Sequence, residues 1–166
     1  MLPRRVYAAI GDVATSAPFS RLHTLAYRVL GGRGVDHALG CEIVLLETVG
    51  RKSGQPHEVP LFAFREGPHL VVIASRGGNT HHPAWYLNLR THPLATVRTG
   101  AVLRQVRARE ASGAERERLW STAAQAYPGY ETYRERTRRA IPVVVLEATG
   151  SAGEGAGTTS APGAPR

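Results

Sequence analysis

Between Glu42 and Arg109 the chain is cut into short runs of branched and aromatic residues, each ended by a turn-forming cluster. The runs are Glu42 to Thr48, Glu58 to Phe64, Leu70 to Ser75, Ala95 to Arg98 and Val102 to Arg109. Such residues fit a pleated, half-buried surface, so the segments predict strands. Gly50-Arg51-Lys52-Ser53-Gly54-Gln55-Pro56 and Arg65-Glu66-Gly67-Pro68 supply the glycine and proline that tight links require. Ile141 to Glu147 is a further run, apolar nearly throughout, as in a strand buried on both faces. Hairpin-like links join antiparallel neighbours, and the expectation is an α+β fold: a mainly antiparallel sheet closed into a barrel, with helices packed outside.

The remaining segments read as helices and termini. A short helix opens near Pro83, a longer one runs from about Ala114 to Ala126 with Leu119, Trp120 and Ala123 on one face, and another follows Pro128. From Ser16, the residues Phe19, Leu22, Leu25, Ala26, Val29 and Leu30 recur at helical spacing, and Gly31-Gly32 ends the run. That apolar face either packs on the body of the domain or, with Arg21, Arg28 and Arg33 beside it, makes a peripheral membrane contact. The chain divides into an N-terminal amphipathic helix and linker (1–40), a barrel domain (41–147) and a tail (148–166). The tail holds too little apolar bulk to offset the entropy of ordering and is expected to be disordered.

Composition narrows the function. Cys41 is the only cysteine, so no internal disulfide or four-cysteine zinc site can form, which suits a reducing cytoplasm. No apolar run reaches the roughly 18 to 20 residues that span a bilayer. The net charge of +8 asks for an anionic partner: nucleic acid, an acidic membrane surface or a polyanionic small molecule. No nucleic-acid module is visible, so a nucleic-acid partner is not expected. Twenty of the 21 basic residues are arginine, and the single lysine is Lys52.

Lys52 lies in a segment that, taken alone, reads either as an anion-binding turn or as a solvated hairpin turn. Arg51, Lys52 and Ser53 bring two cations, a hydroxyl and several backbone N–H groups into a turn after a strand, which is what a phosphate oxygen needs. Ser75-Arg76-Gly77-Gly78 follows another strand, and its glycines would let backbone approach a ligand closely. Trp85, Tyr86, Asn88 and Arg90 place aromatic faces, an amide and a cation within two helical turns. Tyr127, Tyr130 and Tyr133 repeat every third residue beside Pro128-Gly129, a cluster suited to the mouth of a pocket or to a surface aromatic ridge. His57, His81, His82 and His92 follow no zinc-ligand spacing, so no metal is expected. Cys41, in an apolar strand, reads as packing and not as a nucleophile.

Taken together, these segments resemble the deazaflavin (coenzyme F420)-dependent nitroreductase family, also described as F420H2-dependent quinone reductases. The resemblance runs from about Cys41 to Glu147, through Thr48 to Pro56, Ala74 to Gly78, Pro83 to Arg90, Tyr127 to Tyr130 and Thr137 to Val145. It implies a split β-barrel of the flavin-reductase type and an oxidoreductase that passes a hydride from reduced F420 to an electron-poor small molecule such as a quinone, nitroaromatic or enone. By position, Arg51, Lys52 and Ser53 would hold the coenzyme phosphate. His57, Glu58, Val59, Pro60, Leu61 and Phe62, with Ile73, Ala74, Ser75 and Arg76, would line the coenzyme groove. Ala84, Trp85, Tyr86, Leu87 and Asn88, with Tyr130, would close over it. Family members usually carry lysine where Arg76 stands, and a guanidinium spreads the same charge over a planar fork. Tyr130 and Tyr133 are the candidates for a catalytic role, donating a hydrogen bond or proton to the reduced acceptor. The competing readings are a flavin mononucleotide enzyme on the same barrel and a non-catalytic coenzyme carrier.

Overall fold

The structure, a computed structural model, describes residues 3–14 and 17–149. Two helices come first, α1 (Arg4–Ala14) and α2 (Ala17–Leu30), followed by strands β1 (His37–Ala38), β2 (Cys41–Val49), β3 (Pro56–Glu66) and β4 (His69–Ile73). A 3-10 turn at Arg76–Gly78 leads to α3 (Ala84–Thr91), β5 (Leu94–Thr99) and β6 (Val102–Glu110). The chain then forms α4 (Gly113–Ala126), α5 (Gly129–Arg136) and β7 (Val143–Ala148). The strands lie in the order β1-β2-β3-β4-β7-β6-β5, all antiparallel, and β2 also pairs with β5, so six of them close a barrel.

Period-two alternation explains why β2, β4 and β7 are so apolar. Val44, Leu46, Leu70, Val72, Val144 and Leu146 fill the barrel interior with Val97, Val106 and, at one end, Trp85 and Leu89 of α3. Their neighbours point outward into other buried surfaces. Val71, Ile73, Val143 and Val145 meet Leu119 and Trp120 of α4, the tyrosines of α5 and Tyr7 of α1. Ile43 and Leu45 lie under Tyr27 of α2.

Three parts of the N-terminal region differ from expectation. An additional helix, α1, precedes the expected one, and a short strand, β1, lies in the stretch read as a linker. The residue that α2 buries is Tyr27, with Ser20 and His23 half-buried beside it and Tyr27 donating to Ile43 O at 3.1 Å. Of the apolar stripe read as either packing or membrane-facing, Leu22, Leu25 and Val29 are 59–75% exposed. Period 3.6 reports two faces with equal force, and the polar one happens to carry the larger ring. No helix among the described residues is long and apolar enough to cross a membrane. The segment expected as a tail lies, from residue 150 on, outside the described residues, as does Ser16.

Candidate active site

A cleft of about 840 Å³ runs along β3 from His57 to Phe62. The turn at Arg51, Lys52 and Ser53 stands at one part of its rim, α3 gives Ala84, Trp85, Leu87 and Asn88, and Tyr127, Tyr130 and Tyr133 come from the α4–α5 corner. Ile73, Ser75 and Arg76 complete most of the expected set.

Two expected residues turn away from it. Ala74 is fully buried in the barrel interior, because it follows the outward-facing Ile73 by one residue. Tyr86 points to β6, where its hydroxyl donates to Glu110 Oε2 at 2.7 Å. Desolvation, and then that carboxylate, push its phenol up to about 12. The N-terminal helices contribute residues that sequence reasoning missed: Ile10 and Gly11 of α1, Ser20 and His23 of α2. Thr48, Gly50, Gly77, His81, His82 and Tyr127 also line the cleft.

The cationic turn is built from below. Asn88, buried on α3, accepts from both the backbone N–H and the guanidinium of Arg51 at 3.2 Å, and donates through Nδ2 to Thr48 Oγ1 at 3.1 Å. One amide thus fixes the turn to the strand before it. Gly50 at its base leaves room for both side chains, since a Cβ there would meet Ser53 Oγ at 2.5 Å and His57 Nε2 at 2.7 Å and would push those exposed groups aside. Arg51 and Lys52 remain exposed. Among the lining residues the permanent charges are Arg51, Lys52 and Arg76 against Glu58, and Glu58 is already paired with Arg28 Nε at 2.7 Å. The cleft is therefore electropositive.

The tyrosines form neither a surface ridge nor an open mouth. All three are 2–4% exposed; Tyr127 packs edge to face with Tyr7, Phe62 and Tyr130, and Tyr130 packs edge to face with Tyr133. Tyr133 donates to Tyr7 O at 3.1 Å, so the 2.9 Å contact with Tyr127 must have Tyr127 as its donor. Both protons are committed to holding α1. Tyr130 differs, for no described residue hydrogen-bonds to its hydroxyl. Burial pushes the Tyr127, Tyr130 and Tyr133 phenols up, so each keeps its proton at neutral pH.

The glycine pair serves the protein's own packing. Arg76, Gly77 and Gly78 all have positive φ. A Cβ on Gly77 would lie 3.1 Å from the Gly11 backbone of α1, and one on Gly78 would lie 2.7 Å from Tyr133 O of α5. The same backbone that lines the cleft at Gly77 is thus also in close approach to two helices. No cluster of three or more His, Cys, Asp or Glu side chains suited to a metal ion occurs among the described residues.

Comparison with known proteins decides the family. The sequence model of the F420H(2)-dependent quinone reductases matches residues 19–148. The chain belongs to this family. An F420H(2)-dependent quinone reductase of Mycobacterium tuberculosis is 34% identical over 131 residues, covering 76% of this chain and 87% of that protein. A solved F420-H2 dependent reductase is 42% identical with a TM-score of 0.59, covering 63% of this chain and 93% of that one. A solved domain-swapped dimer is 37% identical with a TM-score of 0.62, covering 79% of this chain and all of the other. As an F420H2-dependent quinone reductase family member, the chain is an oxidoreductase on a split barrel and its cofactor is coenzyme F420. The residues present fit that group: phosphate donors at the rim, an electropositive cleft of adequate volume, and flat apolar walls from Val59, Leu61 and Trp85.

Proposed function

We propose that the chain reduces an electron-poor small molecule, a quinone, nitroaromatic or enone, with the F420 phosphate held at Arg51, Lys52 and Ser53 and the acceptor lying beside Tyr130. The observation that carries this reading is the cationic turn, braced by Asn88, on the rim of an 840 Å³ cleft. The bound deazaflavin supplies the hydride. Arg51, Lys52 and Ser53 would hold the anionic end, β3 and Trp85 would line the place of the ring, and the aromatic corner would exclude water. Tyr130, with its hydroxyl unpaired and its proton retained, serves as a hydrogen-bond donor to the oxygen that gains charge. Ala74 and Tyr86 are not assigned to the site. The exposed Leu22, Leu25 and Val29 of α2, with Arg21 and Arg28 on the same helix, support a peripheral membrane contact for a cytoplasmic enzyme.

Fluorescence titration tests the reading: F420 should bind much more tightly than flavin mononucleotide, and equal or tighter flavin binding would transfer the assignment to a flavin enzyme. Turnover separates the tyrosines. Tyr130→Phe should lower kcat with menadione by roughly tenfold or more, leaving F420 affinity nearly unchanged. Tyr133→Phe should instead cost about 1–3 kcal/mol of stability, because it removes the bond to Tyr7 O and strands the buried Tyr127 hydroxyl without its acceptor. Full turnover by Tyr130→Phe would reduce that phenol to a wall.

A further inference from the structure

The loop leading into α3 carries His81 and His82, both on the cleft lining. Arg139, in the loop before β7, reaches across to it. Its Nη1 lies 3.2 Å from His82 Nδ1, its Nε donates to Asn79 O at 2.9 Å, and its Nη2 donates to the carbonyls of Ala74 and Ser75 at 3.1 and 2.7 Å. A guanidinium has donors only, so Nδ1 of His82 is the acceptor and the single proton of the neutral ring sits on Nε2. The ring cannot easily swing away. It packs on Tyr86 with centroids 4.9 Å apart, and Tyr86 is tied to Glu110. Among the described residues nothing pairs with Nε2.

We infer that Arg139 is a positioning residue that fixes His82 as a neutral, Nε2-protonated imidazole, and that His82 thereby offers one hydrogen-bond donor to a carbonyl oxygen of a ligand in the cleft. The ligand's identity rests on the function proposed above; the tautomer does not. The groups facing the ring agree with a neutral state. Arg139 and Arg90 approach it from the loop before β7 and from α3, Glu110 stands behind Tyr86, and Arg76 donates to the His82 carbonyl from the 3-10 turn, with His81 adjacent. Desolvation first, and then the two arginines, hold the imidazole below its ordinary range against the opposing Glu110. A donor without charge suits both a ground-state carbonyl and the oxygen that turns anionic when hydride arrives.

Long-range ¹H–¹⁵N NMR of the ligand-free protein reads the tautomer directly, with His82→Gln assigning the resonance. The wild type should show a single neutral, Nε2-protonated His82 at pH 7. Arg139→Met should give mixed tautomers and a ring that titrates at higher pH. An Nδ1-protonated or charged His82 in the wild type would overturn the inference, whether or not Arg139→Met folds. For the ligand, His82→Phe keeps a ring and deletes the donor, whereas His82→Gln keeps an N–H. His82→Phe should weaken one constant by roughly threefold to tenfold, and His82→Gln should recover most of it. A weakened F420 dissociation constant without acceptor assigns the oxygen to the coenzyme; an unchanged one with a raised menadione KM assigns it to the acceptor. His82→Phe matching the wild type in both constants removes the ligand contact. Failure of the wild type to bind F420 at all would sink the proposed function instead, and the NMR result would still decide for or against Arg139.

Discussion

Replacing Arg51 and Lys52 together by alanine should weaken F420 binding about a hundredfold at low salt, with Lys52→Ala alone accounting for roughly tenfold. Each cation offers a charge-assisted contact worth about 1.5–3 kcal/mol, and two at the lower end sum to the hundredfold figure. The lower end applies because part of the Arg51 guanidinium is already committed to Asn88. The fold should survive. Both side chains are exposed, and alanine at position 51 retains the backbone N–H that Asn88 accepts. Since the lost terms are electrostatic, the double variant should also show a shallower fall of affinity with salt than the wild type. Equal dissociation constants at low salt for the wild type and the double variant would place the phosphate elsewhere.

Gly78→Ala should lower stability by about 3 kcal/mol or more and reduce turnover with it. Two costs coincide there. The backbone has φ +78°, which charges an alanine about 1–2 kcal/mol. The new methyl would also lie 2.7 Å from Tyr133 O and 2.8 Å from Arg136 Cβ, neither of which can yield unless α5 moves. Gly67→Ala is the matched control, with φ +57° and nothing within 4 Å of the added carbon, so it carries the strain alone. For a chain of this size the Gly78 variant should melt about 6–12 °C lower than the wild type. Because α5 carries Tyr130 and Tyr133, the displacement should appear in kcat as well as in melting. Identical melting of the two variants would show that the helix contact is not under load.

The barrel was legible because its strands announce themselves twice, by branched residues and by the turns between them. The turn at Arg51, Lys52 and Ser53 was legible as an element because glycine and proline bracket its polar residues. What failed did so for specific reasons. Helix α1 has Gly11 in its interior, which local propensity counts against it; that glycine leaves room for the Tyr133 ring, which a Cβ would meet at 2.6–2.8 Å. Ala74 follows Ile73 by one residue, and its side chain goes into the barrel interior between two residues that line the cleft. The fate of Tyr133 could not be foreseen. Its hydroxyl is consumed by Tyr7, 126 residues earlier, and no local pattern encodes such a partner.

The closing strand of the barrel, β7, is also its last in sequence, and it lies between β4 and β6. While the chain is being made, those two strands have no partner for their facing edges until residues near 148 have left the ribosome. Tyr7 likewise waits for Tyr127 and Tyr133. The cleft therefore cannot mature strand by strand: it forms only once β7 has emerged, and until then the nascent protein must be kept from joining open strand edges with its neighbours.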